Sequence, residues 1–195
     1  RGAAAEAPEN TVAGFTKAAQ LGVAWVEIDA RLTADGRCVV FHDETLERIA
    51  GVSSRIGEVS FSVLSGYDAG AWFDPAFAGE RVPTLDAALA AIGGLGLGVN
   101  IELKRCPGRE ARLVEEAAGA VSRNWPSQLP PPLISSFDEP LLARARDIVP
   151  ELPRALIVGR LPGGWRGAAK RSGCVALHCC ETYVTAARVS RIKAA

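Results

Sequence analysis

The chain of 195 residues predicts an α/β fold, a TIM (β/α)8 barrel with a small insertion and shortened at both ends. Apolar runs of strand length alternate with Ala-rich segments of helical period, the order expected of a parallel sheet covered by helices. The repeating units number about six or seven, short of the eight strands and ~250 residues of a complete barrel. Acidic side chains also stand inside two of the strand-like runs, which an ordinary core strand does not tolerate without a reason.

In chain order, a helix is expected over 9–21, opening near Glu9 and Asn10 and closed by Gly22. A strand follows over 24–31, and a second over 38–42. The region 44–82 breaks the rhythm with Gly51, Gly57, Gly66, Gly70 and Gly79 and several aromatics, and reads as an insertion over one end of the sheet. Within it, Trp72 and Phe73 either pack the insertion onto the barrel or cap a substrate. The alternation resumes with helix 84–92, N-capped by Thr84, and strand 98–103, then helix 109–123. Pro126 and the run Pro130-Pro131-Pro132 mark a loop ahead of strand 132–137. Helix 138–148, capped by Asp138, strand 154–159, helix 162–172, strand 174–179 and helix 182–194 complete the pattern. There is no internal repeat, so residues 1–195 are expected to form one domain.

Charge excludes some partners. Lys and Arg number 22 against 22 Asp and Glu, leaving no basic surplus for nucleic acid. With 48% hydrophobic residues, a domain of this size buries roughly 70% of its unfolded surface without staples. No apolar run approaches the ~20 residues of a membrane helix, and no secretory signal pattern opens the chain. A soluble, cytoplasmic protein without membrane insertion is the expectation. Cys38, Cys106, Cys174, Cys179 and Cys180 are odd in number and lack metal-ligand spacing, which suits reduced core thiols. A redox or zinc role for Cys179 and Cys180 with His178 is the competing reading.

The chemistry concentrates in Trp25-Val26-Glu27-Ile28-Asp29 and Val99-Asn100-Ile101-Glu102-Leu103-Lys104. Residues i and i+2 of a strand share a face, so Glu27 and Asp29 project together while Val26 and Ile28 pack the other way. Buried carboxylates cost roughly 3–5 kcal/mol when a partner is missing. A hard divalent cation on oxygen ligands removes that cost. A strand with one solvated face would account for Glu27 and Asp29 alone; the second acidic strand, with Glu102 and Lys104, favours a site. Glu9 and Asn10 either line this pocket or simply open their helix. Asp43 suits a supporting or turn role, and His178 a core or rim position. Ser135, Ser136 and Phe137 end a strand and can line the pocket; a serine nucleophile lacks a recognisable partner set.

Several motifs occur in a specific order: Arg1-Gly2, Pro8-Glu9-Asn10-Thr11, Glu27-Ile28-Asp29, Arg31-Leu32-Thr33 with Asp35-Gly36, His42-Asp43, Pro83-Thr84-Leu85, Ile101-Glu102-Leu103-Lys104 and Ser135-Ser136-Phe137. Together they resemble the glycerophosphodiester phosphodiesterases over essentially the whole chain. From Ser135 through Pro150-Glu151-Leu152-Pro153-Arg154 to Cys174 the chain is similar to the cytoplasmic bacterial branch associated with glycerol-3-phosphate uptake. The resemblance implies a TIM barrel with its site at the C-terminal ends of the strands, and Mg²⁺ or Ca²⁺ on Glu27, Asp29 and Glu102. It places Arg1 and Lys104 on the substrate phosphate, and makes His42, with Arg1, part of the catalytic group. A second catalytic histidine is expected immediately before Arg1, and the final barrel segment beyond Ala195, so the chain is expected to be part of a longer protein. The implied reaction is hydrolysis of a small-molecule glycerophosphodiester to sn-glycerol 3-phosphate and an alcohol such as choline, ethanolamine or glycerol. Two other readings stay open: a phospholipase-like phosphodiesterase acting on lipids, and a non-catalytic, metal-stabilised binding module.

Overall fold

The computed structural model describes residues 1–194. Helix α1 (Val12–Gln20) leads into β1 (Trp25–Leu32) and β2 (Cys38–Val40). Short helices α2 (Glu47–Ala50) and α3 (Phe61–Leu64) and 3₁₀ turns at Ile56–Glu58 and Pro75–Phe77 occupy the predicted insertion. Then come α4 (Leu85–Gly94), β3 (Gly98–Leu103), α5 (Glu110–Asn124), β4 (Leu133–Ser136) and α6 (Glu139–Ile148). The described chain ends with β5 (Arg154–Val158), α7 (Trp165–Arg171), β6 (Ala176–Cys179) and α8 (Ala186–Lys193).

The sheet order is β2-β1-β3-β4-β5-β6. From β1 through β6 every neighbouring pair is parallel, and the strands follow one another in chain order with a helix between each. That is the winding of a TIM barrel. Strand β2 departs from the expected β-then-α repeat: it pairs antiparallel with β1, Ala30 opposite Val40 and Leu32 opposite Cys38. The cause is the link. A parallel return needs a crossover of a dozen or more residues, whereas Thr33–Arg37 closes as a turn, with Thr33 N–H donating to Arg37 O at 3.0 Å and Gly36 at φ 75°.

Helix starts also shift from expectation. The first helix begins at Val12 rather than near Glu9, because Thr11 is its N-cap, its Oγ1 accepting from Gly14 N–H at 3.1 Å. Asn10 has φ 56°, outside the helical region. Helix α7 waits for Gly164, at φ 83°, and α8 for its cap Thr185, a 3₁₀ turn at Glu181–Tyr183 standing before it. The caps expected at Thr84 and Asp138 are present, accepting from Ala87 N–H and Leu141 N–H.

The period of two along β1 and β3 divides the core. Val26, Ile28 and Ala30, with Val99, Ile101 and Leu103 in register beside them, face the helices and meet Leu89, Ile92, Leu113, Val114 and Ala117 in one buried cluster. Each such large side chain contributes roughly 1.5–3 kcal/mol by leaving water. A separate cluster of Val39, Phe41, Leu46, Ile49, Ile56, Leu64, Ala69 and Val82 ties the segment after β2 to that strand. The remaining face of β1 and β3 carries the polar residues.

Candidate active site

Parallel pairing sets Asp29 beside Glu102 and Glu102 beside Ser135, with Glu27 beside Asn100 one row below. Carboxylate oxygens of Glu27, Asp29 and Glu102 converge within 4.8 Å of one another. The side chains of Asp29 and Glu102 are only 1% and 11% exposed, so their charges need partners. Lys104, two residues beyond Glu102 on the same face, places Nζ 2.5 Å from Glu102 Oε1 and 2.8 Å from Asp29 Oδ1. The second contact is an ion pair rather than a hydrogen bond, for Oδ1 has no well-directed donor. Arg1 Nε lies 3.2 Å from Asp29 Oδ2, and the Arg1 main-chain nitrogen 2.8 Å from Glu27 Oε2.

The two acids of β1 respond oppositely to this setting. Burial pushes the Glu27 carboxyl above its usual range, and the Asp29 and Glu102 carboxylates add repulsion. Burial acts on Asp29 in the same sense, but the Lys104 ammonium beside it and the hydrogen bond from Asn10 outweigh it and hold Asp29 below the usual range. The Asn10 amide does this at 2.8 Å, donating from Nδ2 to Asp29 Oδ2. Asn10 therefore serves the site, and its left-handed backbone turns it there instead of opening a helix. Three converging carboxylates, one of them raised by burial, form a hard, all-oxygen donor set that fits a divalent cation.

His42 follows β2 at the same end of the sheet. Its Nδ1 lies 2.7 Å from Asp43 Oδ1. Asp43, against the pull of its own burial, is held at about 2 by hydrogen bonds from Arg48 and His42. It is thus an anion at neutral pH, so Nδ1 carries the proton and donates, leaving Nε2 for exchange with a ligand. Arg48 completes the support: Nε donates to Asp43 Oδ2 at 2.7 Å and Nη2 to Glu9 Oε1 at 2.7 Å, with the guanidinium 5.1 Å from the Trp72 ring centroid. Arg31 fixes the backbone, Nε and Nη2 donating to the His42 carbonyl at 3.0 and 2.7 Å. Burial lowers the Arg31 pKa, though its neighbouring carboxylates oppose this.

Every site residue expected from the sequence lies at this end of the sheet: Arg1, Glu27, Asp29, His42, Glu102 and Lys104. Asp43 takes its supporting role, and Glu9 lines the site through Arg1 and Arg48. Sequence reasoning missed Arg31 and Arg48. The i+2 spacing of Arg31 from Asp29 on one strand was an available signal; Arg48 meets Glu9 across 39 positions and had none. Beside the carboxylates opens a cavity of about 560 Å³ lined by Arg31, Lys104, Arg105, Ser136 and the exposed Phe137 ring. Ser136 spends its Oγ on Leu103 O at 2.7 Å. His178 sits on β6, half-buried, its pKa pushed down by burial against the opposing charge of Glu102. All five cysteines are free thiols, and burial lifts Cys106 to about 11, well away from thiolate chemistry. Among the described residues no helix is long and apolar enough to cross a membrane.

The family model described as the glycerophosphoryl diester phosphodiesterase family matches residues 1–195. The glycerophosphodiester phosphodiesterase of Caldanaerobacter subterraneus is 35% identical over 161 residues, covering 80% of this chain and 64% of that protein. YhdW of Bacillus subtilis, provisionally named for the same activity, is 35% identical over 157 residues, covering 80% of this chain and 63% of its own length. A phosphodiesterase of Oleispira antarctica, solved in complex with the product sn-glycerol-3-phosphate, superposes with a TM-score of 0.95 at 36% identity, over 100% of this chain and 78% of that one. The chain thus spans less than two thirds of the length of these two curated relatives.

Proposed function

The chain belongs to the glycerophosphoryl diester phosphodiesterase family, and from that premise we propose that it hydrolyses glycerophosphodiesters to sn-glycerol 3-phosphate and an alcohol with the help of a divalent cation. The observation that carries the reading is the convergence of Glu27, Asp29 and Glu102 within 4.8 Å, flanked by Lys104 and Arg1. Glu27, Asp29 and Glu102 hold the cation, Mg²⁺ or Ca²⁺, whose charge offsets that growing on the phosphoryl oxygens.

The other groups follow from their chemistry. The Arg1 guanidinium can grip two phosphate oxygens at once, and the Lys104 ammonium adds a point charge beside them. Both are already oriented by the carboxylates they touch. Hydrolysis forms one phosphorus–oxygen bond from water and breaks another to the alcohol, so one proton leaves the attacking oxygen and one reaches the leaving oxygen. His42, with Nδ1 tied to Asp43, offers Nε2 for one of these transfers, a role worth roughly 10²–10⁴ in rate. Asp43, Arg48 and Arg31 act through His42 by fixing its tautomer and its backbone. The cavity beside Lys104 accommodates the diester, with the Phe137 ring offering an apolar face to its carbon skeleton.

The test is release of glycerol 3-phosphate from glycerophosphocholine, with and without chelator, alongside Glu27→Gln. Chelator-sensitive release that disappears in the variant supports the reading. Cation binding without any release would point to a binding module instead.

A further inference from the structure

We propose that Ser135 and Asn100 form an outer layer of the cation site, accepting hydrogen bonds from water that the cation keeps, so that the site is built for a hydrated ion of the Mg²⁺ kind. The inference rests on the carboxylate reading above. Among the described residues four buried side-chain oxygens lack a hydrogen-bond partner, and three of them stand together here: Asp29 Oδ1, Asn100 Oδ1 and Ser135 Oγ. Asp29 Oδ1 has the Lys104 ammonium at 2.8 Å; the other two have nothing. Ser135 is completely buried, yet its neighbour Ser136, facing the other way, is saturated by Leu103 O and Asp138 N–H. Buried polar atoms in folded proteins nearly always find a partner. Two orphans on adjacent strands, on the carboxylate face, therefore call for one from outside the chain.

Register says what that partner is. Ser135 stands beside Glu102, and Asn100 beside Glu27, each one strand spacing of roughly 4.8 Å from a carboxylate-bearing residue. Side-chain reach then separates the two kinds of residue. Glu27 and Glu102 carry their oxygens three bonds past Cβ and meet Asp29 at a common centre, whereas each orphan is the shorter partner of a glutamate: Asn100, beside Glu27 in the lower row, by one bond, and Ser135, beside Glu102, by two. A water molecule spans the gap. Three carboxylates fill half of an octahedral shell, and Mg²⁺, which gives up water reluctantly, keeps water in the rest. Ca²⁺ takes six to eight oxygens at longer distances and adapts to direct ligation.

Calorimetric titration of the cation-free protein with Mg²⁺ and, separately, Ca²⁺ tests this in wild type, Ser135→Ala, Asn100→Ala, Ser135→Thr and Glu102→Gln, with thermal unfolding in chelator as the check on folding. Ser135→Ala and Asn100→Ala are each expected to weaken Mg²⁺ by about 10-fold or more, Ca²⁺ by less, while Ser135→Thr keeps wild-type affinity. Glu102→Gln is expected to remove binding of both ions. Unchanged Mg²⁺ affinity in the two alanine variants, with Glu102→Gln inactive in binding, overturns the outer layer and leaves the carboxylate site standing. A larger loss for Ca²⁺ than for Mg²⁺ overturns it too, because it signals direct ligation. Failure of the wild type to bind either ion removes the carboxylate reading itself and the inference with it.

Discussion

The two faces of β1 and β3 are built from alternating residues of the same few positions, yet they obey different rules. On the helix-covered face Val26, Ile28, Val99 and Ile101 are buried hydrocarbon, satisfied by volume alone. On the inner face Glu27, Asp29, Asn100 and Glu102 are satisfied only by particular partners, and some of their oxygens have none within the chain. One face can be repacked at modest cost; the other has no substitute for its charges. Stability and chemistry are thus separated by a single step along the backbone, because a strand's side chains alternate.

That separation can be broken by experiment. The largest effect is expected from Glu102→Gln, which keeps the shape but removes one charge and one acceptor oxygen from the converging set. Turnover of glycerophosphocholine should fall by roughly 10³-fold while the unfolding midpoint in chelator barely moves. A variant that retained activity would sink the carboxylate site. One residue away, Ile101→Ala should do the reverse. It should cost about 2–5 kcal/mol in denaturant unfolding, with kcat per folded molecule unchanged. If both variants lost activity and stability together, the faces would not be separable. Asp43→Asn sharpens the comparison from outside the sheet. Loss of the anion that orients His42 should lower kcat by roughly 10-fold with little change in KM, and Arg48→Met should follow it in the same direction. A KM effect alone would make Asp43 a binding residue rather than an orienting one.

The smallest effect concerns Glu27. Its folded pKa is raised, so in chelator the folded state binds more protons than the unfolded chain between the ordinary carboxylate range and the raised value. Stability should therefore fall as pH rises through that window. Glu27→Gln removes the slope, by less than about 1 kcal/mol once solvent screening of this partly exposed group is allowed for. Parallel stability–pH curves for the two proteins would show that burial does not raise Glu27.

Much of the fold was legible. Strands were expected at all six observed places, and the caps at Thr84 and Asp138 are where local chemistry puts them. Strand β2 was placed but its direction was not, although the five residues of Thr33–Arg37 are too few for a parallel return. Asn10 was read as a helix opener or a pocket residue with nothing to decide between them; its left-handed φ and its bond to Asp29 decide it.

Alone, the amino-acid order determined which side chains share a strand face, hence that Glu27 goes with Asp29 and Glu102 with Lys104. It did so because the period of two is a property of the extended backbone and needs no other part of the chain. Only the tertiary structure decided that these pairs meet, that Ser135 and Asn100 stand beside them without partners, and that Arg48 reaches back to Glu9. Register between strands and ion pairs across 39 positions depend on how distant segments pack, and packing is a property of the whole domain.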